Sequence, residues 1–143
     1  MPTPLELAYI GLQSPAPQAV HTFFGEVVGL MPGAPLPGGA GTWRNDRKAH
    51  RLWVEEGPRA DALCIGFEAA DAAAWQATLD RLRAQGFAPA PGTPAQCAAR
   101  RVQALACVAA PWGVDVEIVH GLADVGTPFA SPAFPHGCVT DGQ

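Results

Sequence analysis

The sequence has no CxxC pair, no cysteine–histidine ligand spacing, no apolar run long enough to span a bilayer and no basic stripe. Each absence closes off a class of protein. The four cysteines, Cys64, Cys97, Cys107 and Cys138, are scattered, which argues against a zinc site or a secreted disulfide frame and for reduced thiols in a cytoplasmic protein. The opening Met1-Pro2-Thr3-Pro4 carries no basic segment ahead of an apolar one, so neither secretion nor membrane insertion is expected. With Lys+Arg 9 against Asp+Glu 13, and with Arg100-Arg101 too short to make a patch, a nucleic-acid partner is disfavoured. A chain of 143 residues is one domain able to bury an ordinary core, with no need of a disulfide or metal staple.

What is present is an internal repeat. The strand-to-helix segment Leu7–Leu12 leading to Ala16 is matched by Ala62–Phe67 leading to Asp71, at an offset of 55 for both Tyr9/Cys64 and Ala16/Asp71. Gly29 and Gly86 end the two helices 57 apart, and the closing strands Leu52–Gly57 and Val116–Gly121 lie 64 apart, so the drift accumulates in loops. A small βαβββ unit cannot bury both faces of its sheet alone, which predicts an α+β fold of two paired βαβββ modules forming a curved sheet around a groove. The modules run over about 4–57 and 60–122, one domain at 1–122, followed by a Pro-rich arm or linker at 123–143.

Along the chain, residues 5–12 alternate as a strand with Leu5, Leu7 and Tyr9 on one face. Pro15 and Pro17 sit where a helix can begin, and Val20, Phe23, Phe24, Val27 and Val28 give the stripe of a helix buried on one side, with His21 off the stripe and solvated. Residues 31–41 read as a loop, and the Asn45-Asp46-Arg47 turn joins Trp43 to a second arm at His50–Glu55. In the second module Asp71 caps a helix carrying Trp75, Leu79 and Leu82 and stopping at Gly86. Phe87 then begins a short strand, Pro89, Pro91, Gly92 and Pro94 break the chain, Arg101–Val108 reads as a strand, and Pro111-Trp112-Gly113 turns into the strand Val114–Val119.

The segments Tyr9-Ile10-Gly11-Leu12, Leu63–Glu68 before Ala70–Ala73, Pro111–Ile118, Thr127-Pro128-Phe129 and Gly137–Gln143 together resemble the N-terminal domain of type I extradiol ring-cleaving dioxygenases, members of the vicinal oxygen chelate (glyoxalase/bleomycin resistance/dioxygenase) superfamily. The resemblance implies a non-catalytic domain: in that family Fe(II), held by two His and one Glu, belongs to the C-terminal domain, and the first His follows a stretch similar to Gly137–Gln143. The resemblance also maps the four superfamily ligand positions to Tyr9, Trp53, Cys64 and Glu117. Only Glu117 is a ready donor there; Cys64 is a possible soft ligand, Tyr9 an uncommon one, and Trp53 cannot ligate. No metal and no cofactor are therefore expected in this chain, no catalytic residue is assigned, and Glu117→Gln is expected to leave stability nearly unchanged.

Two functional readings follow. The first is a metal-free N-terminal domain, or a shortened relative, of an Fe(II) extradiol catechol (biphenyl-diol-like) dioxygenase, inactive alone and packing against a catalytic C-terminal domain. The alternative is a stand-alone protein of the bleomycin-resistance type, binding a small aromatic or antibiotic molecule in a groove lined by Tyr9, Trp53, Cys64 and Glu117. A weaker third is a glyoxalase-like enzyme completed by ligands from a second subunit. A domain built to sit beside a catalytic partner exposes, when alone, the apolar surface that partner would cover, so a homo-oligomer, most simply a dimer, is expected.

Overall fold

The computed structural model describes residues 4–37 and 41–131. The sequence expectations at Cys138 and Gly137–Gln143, and for the arm from residue 132 on, lie outside the described residues. The chain is α+β, and its contacts divide it into two compact units, one made of the residues up to Ile10 with Ala62–Ala123, the other of Gly11–Asp61 with the residues from Asp124. The first strand, β1 (Glu6–Ser14), contributes to both units, up to Ile10 in the first and from Gly11 in the second. No helix among the described residues is long and apolar enough to cross a membrane.

The first unit holds β5 (Asp61–Ala69), α2 (Ala72–Ala84), β6 (Ala90–Pro91), α3 (Pro94–Arg100), β7 (Ala104–Ala109) and β8 (Asp115–His120), with β1-β5-β8-β7-β6 as neighbours in the sheet. β8 runs parallel to β5 and antiparallel to β7. Asp71 caps α2 as expected, accepting the Ala74 N–H at 2.8 Å, and Gly86, at φ 87°, takes the left-handed turn that ends the helix. The Trp75/Leu79/Leu82 face of α2 covers one side of the sheet: Leu79, Ala106 and Ile118 form the buried core, joined by Leu5, Phe67, Trp75, Leu82 and Val116. The Trp75 indole N–H donates to the Ile118 carbonyl at 2.8 Å, so the ring brings its polar atom into the core with a partner. Residues that pair in register share a face of a sheet. Cys64 and Asp115, Gly66 and Glu117, and Cys107 and Glu117 therefore fall together on the side away from the α2 core.

The stretch expected to break at Pro94 instead forms α3. Thr93 Oγ1 accepts the Gln96 N–H at 3.1 Å while the Gln96 side chain accepts the Thr93 N–H at 2.8 Å, a complete capping box, and Pro94 sits at the first helical position, where a missing N–H costs nothing. Phe87 consequently lies outside any strand, the short pairing being Ala90–Pro91, and Arg101 ends α3 in the left-handed conformation (φ 56°) rather than opening a strand.

The second unit contains α1 (Pro17–Thr22), β2 (Met31–Pro32), β3 (Gly41–Arg44) and β4 (Leu52–Glu56), with β2-β3-β4-β1 as its strand order. That order matches β6-β7-β8-β5 element for element, so the repeat seen in the sequence is a repeat of topology. Two expectations here are corrected. Residues 31–41 are not wholly loop, since Met31 and Pro32 pair with Arg44 and Trp43. The first helix does not continue as an α-helix: from Phe23 to Val28 it winds as a π-helix, with the Gly29 N–H reaching the Phe24 carbonyl. The wider turn shifts the phase of a 3.6-residue stripe. His21 and Phe24 then face the Trp43 ring, at centroid distances of 4.5 and 5.4 Å, while Phe23 and Val27, expected to be buried, stand 52% and 68% exposed. His21 is thus a packed ring rather than a solvated one.

The start of the arm is also more ordered than its composition suggests. Asp124 pairs with Lys48 at 3.3 Å, the Val125 N–H donates to the Arg47 carbonyl at 2.7 Å, and the buried Arg44 guanidinium donates to the carbonyls of Asp46 and Thr127, each at 2.7 Å. Residues 124–127 are fastened to the turn between β3 and β4.

A close approach within the sheet of the first unit is at Gly66, where an added Cβ would lie 2.6 Å from the Tyr9 ring. Gly66→Ala should therefore displace that ring and cost about 1–3 kcal/mol, the range for overpacking a core. Thermal unfolding should show it against Gly126→Ala, where a Cβ meets nothing within 4 Å and the midpoint should hold.

Candidate functional site

The glycine at 66 and the register of β5 with β8 determine what the open side of the first unit's sheet can hold. Gly66 pairs with Glu117 and leaves room for the Tyr9 ring from β1. Tyr9, Cys64 and Glu117 are 1%, 4% and 7% exposed. A carboxylate at that depth must be paired. Tyr9 Oη donates to Glu117 Oε2. The second partner is Arg100, the last residue of α3: Nε lies 3.3 and 3.2 Å from Oε1 and Oε2, and Nη2 3.2 Å from Oε1, so the guanidinium engages both carboxylate oxygens. Planar, two-point pairing of this kind suits arginine and not lysine.

Three of the four residues singled out in the sequence are thus brought together, and one is not part of the same unit. Trp53 belongs to the second unit, buried on β4, where its ring lies over Gly11; a Cβ there would sit 2.0 Å from the indole. Sequence reasoning missed Arg100. Its signal was Thr93-Pro94-Ala95-Gln96, a capping box with a first-turn proline, which places Arg100 at the end of a two-turn helix beside β8. Read as a short basic pair, Arg100-Arg101 gave no hint that its two members do different work, one pairing a carboxylate and the other turning the backbone.

The electrostatics follow from burial. Tyr9 is held far above the ordinary phenol range, first by its burial and then by the Glu117 charge and hydrogen bond, so it is a donor and not a phenolate. Burial acts against the Arg100 charge, but the Glu117 hydrogen bonds and charge outweigh it and its pKa rises. The Cys107 thiol, beside Glu117 in register, is pushed up by burial and by the Asp115 and Glu117 charges. Cys97 and Cys107 are free thiols. Among the described residues no three His, Cys, Asp or Glu side chains converge as metal donors. The donor set does not suit the Fe(II) implied for the family: the carboxylate is already neutralised by a guanidinium, and the phenol keeps its proton. Glu117→Gln is accordingly expected to be destabilising rather than neutral, because it would take from the half-buried Arg100 guanidinium the carboxylate it engages.

A strand, a helix and three further strands, repeated with the same strand order, make the fold of a vicinal oxygen chelate domain, and the chain is similar to members of that superfamily. Within it the chain is a relative of the extradiol ring-cleaving dioxygenases. It is 36% identical over 138 residues to the biphenyl-2,3-diol 1,2-dioxygenase of Pseudomonas sp. strain KKS102, covering 96% of this chain and 47% of that enzyme. It is 32% identical over 138 residues to the 3-methylcatechol 2,3-dioxygenase of Pseudomonas putida, with coverage of 96% and 47%. A solved halotolerant catechol dioxygenase superposes with a TM-score of 0.81 at 28% identity over 88% of this chain and 42% of that one. An Mn(II)-bound glyoxalase from Novosphingobium aromaticivorans, 21% identical, shares the fold with a TM-score of 0.72 over 87% of this chain and 40% of that one. No family model matches the chain. The chain spans about half the length of the curated relatives it matches.

The sequence contains a single tyrosine, so tyrosinate absorbance reports Tyr9 alone. With its folded pKa raised above the unfolded value near 10, both states are protonated below about pH 10 and the group has no effect there; above it the unfolded chain releases the proton first, and stability falls with a slope of up to about 1.4 kcal/mol per pH unit. Alkaline titration should show no tyrosinate until the chain unfolds, and in Tyr9→Phe this slope should vanish. A Tyr9 that titrates near pH 10 in folded protein would contradict the burial and pairing described above.

Proposed function

We propose that this chain is a non-catalytic domain of the extradiol dioxygenase lineage, with residues 1–122 forming the vicinal oxygen chelate domain and 123–143 the arm that leaves it. Its role is to support and orient a partner domain in which Fe(II) carries the cleavage of a vicinal aromatic diol by O₂. The observation that carries this reading is the pairing of Glu117 with Arg100 and Tyr9, which consumes the one carboxylate among the superfamily's ligand positions in this chain. The matches, which cover nearly all of this chain and under half of each dioxygenase, support it. Ring cleavage needs an iron with open positions to bring diol and O₂ together, and the side chains that converge at Glu117 offer none.

A cytoplasmic location accords with the free thiols Cys97 and Cys107. The exposed Phe23 and Val27 on the π-wound turn favour a homo-oligomer or a domain partner over a bare monomer. The alternative, an aromatic-binding protein, would need the Tyr9 hydroxyl and Glu117 carboxylate turned toward a ligand, whereas both are engaged with each other and with Arg100.

The purified chain, incubated aerobically with Fe(II), reductant and either catechol or 2,3-dihydroxybiphenyl, should form no yellow ring-cleavage product above an Fe(II) blank. Turnover approaching the enzyme median of about 10 s⁻¹ would overturn the reading.

A further inference from the structure

We propose that the outer edge of the first unit's sheet is a self-association surface: a second copy of this chain seats its Trp112 in a groove at the start of β7 and receives this copy's Trp112 in return. The inference goes beyond the supporting role proposed above and stands whether or not the domain serves a dioxygenase.

The projecting part is the turn between β7 and β8. Its backbone is tied down, the Ala110 N–H donating to the Val114 carbonyl and the Gly113 N–H to the Ala110 carbonyl, each at 3.0 Å, with Gly113 in the left-handed region at φ 92°. On this turn the Trp112 side chain stands 68% exposed. An indole held in water on a fixed backbone loses little freedom when it is covered, which makes it a strong interface anchor. The receiving part lies at the other end of β7, where a groove of about 500 Å³ is lined by Trp75, Pro91, Pro94, Cys97, Val102 and Leu105. That is the size and apolar character of a site for an aromatic group. The Trp75 indole N–H is already given to the Ile118 carbonyl, so its ring adds carbon surface to the groove.

Both parts share one edge of the sheet. β6 pairs only with Ala106 and Cys107, so beyond Cys107 the outermost strand among the described residues is β7 itself, which leads into the turn, while at its start β6 and α3 wall the groove. Leu105 and Pro111 lie roughly 20 Å apart along the strand direction, at about 3.3 Å per residue. A two-fold axis midway between them brings each Trp112 to the other copy's groove, and the contact closes as a dimer. Charge selects the same pairing. Asp115 is exposed just after the turn and Arg101 is exposed beside Val102 at the groove, so the two-fold sets the carboxylate of each copy against the guanidinium of the other. Opposite charges at a rim fix register and partner choice, and here both signs belong to one chain.

Sedimentation of the full chain should show a monomer–dimer equilibrium, and Trp112→Ala should weaken it by at least about 100-fold, two anchors being lost at once. Ala98→Phe, which puts a ring into the groove from an exposed position on α3, should weaken it to a similar extent. Arg101→Asp and Asp115→Arg should each weaken association about tenfold and the double variant should recover it, aspartate being a residue that tolerates the left-handed turn at 101. Trp43 and Trp53 are buried and Trp75 is half-buried, so acrylamide quenching reads mainly Trp112 and should fall as the wild-type chain is concentrated. A wild type that stays monomeric up to its solubility limit overturns the proposal and leaves the groove to a small ligand or a partner domain. So does a dimer that survives Trp112→Ala, or one lost in Val27→Asp with Trp112 still fully quenchable, which would place the contact on the π-wound turn. An open series of larger species overturns the two-fold closure. If Ala98→Phe does not fold, the charge pair decides: recovery in the double variant supports the proposal, and no recovery overturns it. None of these readouts involves iron or ring cleavage, so a failure here leaves the dioxygenase reading untouched.

Discussion

Glu117 is the constraint on which the rest of the first unit turns. Its place on β8, in register with Gly66 and Cys107, puts a carboxylate on the buried side of a sheet whose other side is filled by α2. Desolvating that charge is tolerable only with close, well-aligned partners, and each partner imposes a condition further away. Tyr9 must lie flat over β5, which requires glycine at 66. Arg100 must arrive from above β8, which requires a helix in a stretch of chain that otherwise reads as proline-broken. The αL residue Arg101 and the short segment to β7 follow from the need to bring the backbone straight back into the sheet after that helix.

The two modules solve the same local problem by different chemistry. Gly11 and Gly66 are equivalent by their offset of 55, and each clears space for a ring: Trp53 over Gly11 in the second unit, Tyr9 over Gly66 in the first. Trp53 and Glu117 are equivalent by their offset of 64, yet one is a buried indole lying over Gly11 and the other a carboxylate tied to a guanidinium. Neither arrangement leaves a set of imidazoles and carboxylates open to a ligand. The two equivalent positions are thus filled by packing at one and by an internal ion pair at the other.

Much of this was legible beforehand, and the exceptions have identifiable causes. The repeat, the capping of α2 by Asp71 and its Trp75/Leu79/Leu82 face follow from spacing, because strand alternation and helical period are local properties, whereas Tyr9, Cys64 and Glu117 were candidates through the resemblance to the superfamily. The first helix was misread because the Val20/Phe23/Val27 stripe is a good 3.6-residue pattern overruled by a tertiary contact: the Trp43 ring, flanked by His21 and Phe24, is better served by a π-wound turn that brings Gly25 toward it. α3 was missed for the opposite reason. Its signals were local and complete, a capping box with proline at the first position, but a stretch containing four prolines and glycines in six residues suggested a break.

Arg100 lay beyond local reading altogether. That it pairs with Glu117, 17 residues away and across a strand, depends on the turn at Arg101 and on the antiparallel return of β7 into β8. Its neighbour Arg101 has the same composition and no comparable role, so no statistic on basic residues could distinguish them. What distinguishes them is burial. Arg101 is exposed and contributes its backbone, whereas Arg100 is drawn inward by a carboxylate that cannot remain alone.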